Sequence, residues 1–106
     1  MKRPLLYRQG DVLIEQVHVL PKKLVPQVPD TGLLVLARGE ATGHHHSIPA
    51  SAGTLQTDEG GVMYLTIEEL TEVRHQEHAP IPLAPGFYRV RRQREYTPEA
   101  IRSVAD

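Results

Sequence analysis

The ten residues Asp58-Glu59-Gly60-Gly61-Val62-Met63-Tyr64-Leu65-Thr66-Ile67 join a tight-turn signal to a strict alternation of side chains. Two adjacent glycines after Asp-Glu supply the backbone freedom a hairpin needs. The next six residues place Val62, Tyr64 and Thr66 on one face and Met63, Leu65 and Ile67 on the other. A period of two predicts a half-buried β-strand rather than a helix.

The same pattern extends outward from this hairpin. Residues 53–57 precede the turn as its partner strand, and residues 70–74 form a further short candidate. Gly86 opens a long final strand over 87–95, with Tyr88, Val90, Arg92, Arg94 and Tyr96 on one face. Towards the N-terminus, Gly10-Asp11 leads into an apolar strand from Val12 to Val19, where Asp11 reads as a turn-stabilising residue. Leu33 to Ala37 is a continuous apolar run, as expected of a strand covered on both faces. His44 to Ile48 is a strand stopped by Pro49. Prolines 80, 82 and 85 make their region extended or turning and argue against a central strand there. Thr97-Pro98-Glu99 carries an N-cap, a first-turn proline and an acid, which predicts a short C-terminal helix over 97–104. The fold class expected is all-β, a single domain over 1–106. Its architecture is a small antiparallel β-barrel or sandwich with that helical tail.

Composition narrows the chemistry. The chain has 106 residues, 40% apolar and 24% charged, with only five aromatic residues, so aliphatic side chains must supply the core. Net charge is −1, so the molecule-wide field does not call for a nucleic acid or membrane. The absence of cysteine excludes disulfides, thiolate metal sites and thiol nucleophiles. Any metal must be held by imidazole or oxygen. No signal-peptide pattern opens the chain and no run approaches the ~20 apolar residues of a membrane span, so a cytoplasmic location is expected.

Five of the six histidines fall in two groups, His44-His45-His46 and His75/His78. On a strand, His44 and His46 share a face while His45 points away, and this H-x-H spacing suits a two-pronged grip on a metal. His75 and His78 reach one site only if the chain bends between them. Glu77 offers a carboxylate as ligand or as partner to an imidazole. His18 stands alone and reads as structural or exposed. A shared site built from His44, His46, His75 and His78 is preferred over coincidence. Three or four imidazoles suit Zn, Fe, Ni or Cu alike.

A metal-independent alternative uses the same histidines as general acid and base on a phosphodiester, with Tyr96 at the site and Arg92 and Arg94 binding phosphate. A third reading is a non-catalytic module that binds an anionic partner, a phosphate-containing small molecule or a single nucleic-acid strand, through this basic strand. Arg89 and Arg91 read as a solvated face, and Asp58, Glu59, Glu68 and Glu69 as solvated turn residues. An exposed strand edge would allow a homodimer.

At Gly43-His44-His45-His46 the chain resembles the first motif of cupins, small β-barrels that bind a metal through an H-x-H pair, and Pro85-Gly86 resembles the turn of their second motif. Cupins place a glutamate shortly after H-x-H and a histidine after Pro-Gly. Here Ile48 to Ser51 and Phe87-Tyr88-Arg89 stand there instead. Over most of its length the chain is similar to a group of small uncharacterised bacterial and phage proteins. The matching segments are Arg8 to Ile14, Gly39 to His46, His75 to Ile81 and Gln93 to Pro98. That resemblance implies a site made from these segments and no particular reaction.

Overall fold

The computed structural model describes residues 5–39, 43–92, 94–96 and 101–103, the last two segments by their backbone alone. Every named strand pairs antiparallel. The strands are β1 (Leu6–Gln9), β2 (Val12–Val17), β3 (Val25–Pro26), β4 (Leu33–Arg38), β5 (His45–Pro49) and β6 (Gly53–Thr57). They continue as β7 (Met63–Ile67), β8 (Thr71–Val73), β9 (Ile81–Leu83), β10 (Gly86–Arg92), β11 (Arg94–Tyr96) and β12 (Ile101–Ser103). A single 3₁₀ turn, Ala50–Ala52, joins β5 to β6.

Six strands form one sheet in the order β1-β2-β10-β7-β6-β3. The β6–β7 hairpin is closed by the turn at residues 58–61, in the register Thr57↔Met63 to Gly53↔Ile67. Asp58 is structural there and not merely solvated. Its Oδ1 accepts from the backbone N–H groups of Gly60 and Val62, each at 2.9 Å, and Gly61 takes φ +84°. At the far end of the pair, a Cβ on Gly53 would lie 1.9 Å from the carbonyl oxygen of Thr66, so the strands approach here only because residue 53 has no side chain.

The second layer consists of the β4–β5 and β8–β9 hairpins, linked by reciprocal backbone bonds between Ser47 and Arg74 at 2.9 and 3.0 Å. Its inward residues Leu34, Leu36, Ile48, Val73 and Leu83 join Val12, Ile14, Leu55, Leu65, Ile67, Tyr88 and Val90 of the large sheet in one core. The large sheet and the two hairpins therefore close over one shared core of mainly aliphatic side chains. Leu33 to Ala37 departs from expectation: Leu34 and Leu36 are buried while Leu33, Val35 and Ala37 are half-buried, so the strand is covered mainly on one face.

Three further boundaries differ. β1 is a strand the sequence did not announce. It pairs with β2 through a two-residue turn with Gly10 at φ +58°, as a II′ hairpin requires of its first turn residue. The single strand expected over 87–95 is two elements, with β10 in the large sheet and β11 paired to β12. The short helix expected over 97–104 is corrected, because Ile101–Ser103 is a strand in register with Arg94–Tyr96. An eight-residue helix is too short to be stable from its own hydrogen bonds, and strand pairing satisfies the same backbone groups across to a neighbour. Residues 97–100 lie outside the described residues.

Candidate functional site

The site sits at the end of the sandwich where the β1–β2 turn, the start of β5 and the β8–β9 connection meet. Residues 76–78 bend, which supplies the break required between His75 and His78. The four histidine rings come together. Centroid separations are 4.4 Å for His46–His75, 4.6 Å for His75–His78, 5.3 Å for His44–His75 and 6.3 Å for His46–His78. β5 begins at His45 rather than His44, yet His44 still turns towards the cluster. His45 faces elsewhere. Its Nδ1 lies 3.1 Å from Ser47 Oγ, and its backbone N–H donates to Gln76 Oε1 at 2.8 Å, tying the two histidine segments together. His18 is exposed just beyond β2.

His46 is completely buried. Its Nδ1 lies 2.8 Å from Gln9 Oε1, and Gln9 Nε2 donates to the carbonyls of Val73 at 3.0 Å and Ala79 at 2.9 Å. Gln9, itself 2% exposed, thus ties β1, β5, β8 and the following loop together. On the other side of the ring, His46 Nε2 is 3.5 Å from Asp11 Oδ1. Asp11 is also fully buried, and its Oδ2 accepts from Arg92 Nε at 2.6 Å. The same guanidinium donates through Nη2 to the carbonyl of Arg38 at 2.7 Å, joining β10 to the end of β4.

The remaining groups are more open. His75 is 8% exposed, and its Nδ1 accepts the backbone N–H of Glu77 at 3.0 Å. Glu77 Oε1 lies 3.8 Å from His44 Nδ1, an ion pair when that ring is protonated. His78 Nε2 is a buried atom with no hydrogen-bond partner among the described residues. Among the described residues no group of three or more His, Asp or Glu side chains is arranged to hold a metal ion as they stand. His75 already spends Nδ1 on a backbone N–H, and the planes of the His46 and His78 rings lie 14° apart.

The basic strand is divided by its pairing. Arg92 is committed to Asp11 and Arg38. Arg89 is ion-paired with Glu15, whose hydrogen bonds raise the guanidinium's already high pKa, and Arg91 lies 3.8 Å from the same carboxylate. The side chains of Arg94 and Tyr96 lie outside the described residues.

Asp11 and Gln9 are the site residues that sequence reasoning passed over, since a Gly10-Asp11 pair reads as a turn. The available signal was parity: Gln9 shares the inward face of β1 with Tyr7, where a polar residue needs a buried partner. A family model described as a domain of unknown function (DUF8820) matches residues 8–93. The chain belongs to the DUF8820 family. The matched span takes in the whole cluster, from Gln9 to Arg92. No curated protein and no solved structure matches the chain.

Proposed function

We propose that the histidine cluster binds a divalent transition metal through imidazoles drawn from His44, His46, His75 and His78. The observation that supports this reading is the convergence of four rings from two chain segments at one end of the sandwich. Two imidazoles that share a metal at 2.0–2.1 Å, with an angle of about 90–110° between them, have centroids about 4.5–5.2 Å apart. The His75–His78 pair, at 4.6 Å, falls in that range, and the pairs at 4.4 and 5.3 Å lie just outside its two ends. Loading therefore requires the His44, His75 and His78 rings to turn about their own bonds towards His46, which Gln9 holds in place.

A bound divalent ion would supply Lewis acidity or an activated water. The chain's own part is to bring the imidazoles together, bury His46 and shield one side of the site with Gln9. The cupin-like element of the reading is the H-x-H pair at the start of β5. The metal-independent phosphodiesterase reading draws less from the geometry, because Arg92 is already spent inside the protein.

The test is metal analysis of untagged protein, followed by thermal denaturation with added Zn(II), Ni(II) or Fe(II). Co-purified metal, or a raised midpoint that His46→Ala abolishes and His45→Ala retains, is the expected result. Protein that carries no metal and shows no shift with any of these ions would refute the reading.

A further inference from the structure

We infer that Asp11 is the oxygen ligand of this site, and that Gln9 makes His46 Nε2 the nitrogen ligand facing it by holding the ring in its Nδ1–H form. This inference rests on the metal-binding reading above. It begins with the amide of Gln9. Because its NH₂ group donates to two backbone carbonyls, from Val73 and Ala79, the orientation of the amide is determined, and Oε1 must be the atom that meets His46. A carbonyl oxygen only accepts, so the proton of that contact belongs to His46 Nδ1. In the neutral ring Nε2 is then the lone-pair nitrogen, the form in which imidazole ligates metals.

That nitrogen faces a carboxylate. Asp11 Oδ1 lies 3.5 Å from it, is buried, and receives no hydrogen bond among the described residues. The separation is long for an N–H···O hydrogen bond. It suits a shared cation: two bonds of about 2.1 Å spanning 3.5 Å meet at about 113°, close to the tetrahedral angle. The other carboxylate oxygen is held by Arg92 Nε at 2.6 Å, and Arg92 is anchored in turn on the Arg38 carbonyl, so Oδ1 is aimed and kept there. Gln9 and Arg92 are positioning residues. A mixed nitrogen and oxygen donor set favours Zn(II), Fe(II) or Co(II) over the softer Cu(I).

The experiment uses the whole chain and Zn(II). In metal-free protein, long-range ¹H–¹⁵N correlation spectra report the tautomer of each histidine, and His46 is expected as Nδ1–H. On Zn(II) titration the His46 Nε2 and Asp11 carboxylate resonances should shift together. Asp11→Asn, which keeps an oxygen for Arg92 but loses the charge, should weaken Zn(II) binding at least tenfold. Gln9→Leu should weaken it by roughly 10–100-fold, the usual cost of losing a partner that orients a ligand, and Gln9→Glu, which keeps the acceptor, should recover part of the loss. If a variant does not fold, the wild-type resonances still decide. Zn(II) bound with an unmoved Asp11 carboxylate, or an Asp11→Asn affinity within twofold of wild type, overturns the ligand assignment while the metal-binding reading stands. His46 found as Nε2–H overturns the role of Gln9. Absence of any Zn(II), Ni(II), Fe(II) or Co(II) binding by the wild type overturns both.

Discussion

Replacing Arg92 with methionine keeps most of the side-chain bulk at the end of β10 but leaves Asp11 fully buried with the charge on Oδ2 uncompensated. Removing one partner of a buried ion pair costs about 3–5 kcal/mol, because the remaining charge has lost both its counter-ion and its water. The Arg92 side chain is 26% exposed, so solvent can reach part of the gap, and the cost belongs at the low end, about 3 kcal/mol. The bond to the Arg38 carbonyl disappears as well, which keeps the figure from falling further. For a domain of this size each kcal/mol moves the midpoint by about 4 °C or more, so the expected drop is about 12 °C. Urea denaturation of chelator-treated protein measures the loss without a contribution from bound ions. Adding Asp11→Asn to Arg92→Met removes the stranded charge and should restore about 1 kcal/mol or more. A single variant within about 0.5 kcal/mol of wild type would refute this account of the pair. So would a double variant whose loss is the plain sum of the two singles.

Other substitutions probe the scaffold. Gly53→Ala forces a Cβ against the Thr66 carbonyl at 1.9 Å, so β6 and β7 must separate; a loss of about 2 kcal/mol or more by urea denaturation is expected, and near-wild-type stability would contradict the close approach. Asp58→Ala leaves the N–H groups of Gly60 and Val62 without their acceptor and should cost about 1 kcal/mol, read the same way. Burial, with the nearby Tyr7 phenol adding to it, pushes the Tyr88 phenol above its ordinary value of 10.0. The folded state therefore holds that proton more tightly than the unfolded chain. The stability this represents is present below about pH 10 and is lost as pH rises through the folded value. Tyr88→Phe should flatten the alkaline loss of stability seen in denaturation curves from pH 9 to 12, and an unchanged slope would count against it.

The parts of the fold legible in the sequence are those carried by local pattern. Met63 to Ile67 alternates, and Leu65 and Ile67 are buried as the alternation requires. Tyr88, Val90 and Arg92 share a face of β10 as alternation places them, though packing turns that face inward and not towards phosphate or solvent, and the Asp58 to Gly61 turn closes the hairpin where glycine spacing placed it. Local pattern also misled. Thr97-Pro98-Glu99 carries a helix-start signal, yet Ile101–Ser103 pairs with Arg94–Tyr96, because the partner strand lies only a few residues upstream. β1 escaped notice because its outward residues, Leu6 and Arg8, do not separate cleanly from its inward ones in polarity.

For the site, residue type and spacing along the chain already singled out His44, His46, His75 and His78, excluded thiol chemistry and removed His45. Those conclusions follow from side-chain identity and the two-residue period of a strand, which are local properties. Burial of Asp11 and Gln9 is not local. It depends on Arg92 arriving from β10, on His46 from β5, and on carbonyls offered by Val73 and Ala79, contacts separated by 37 to 81 residues. A carboxylate at a glycine turn is cheap in water and costly in a core, and only the packing of the two layers decides which environment it occupies.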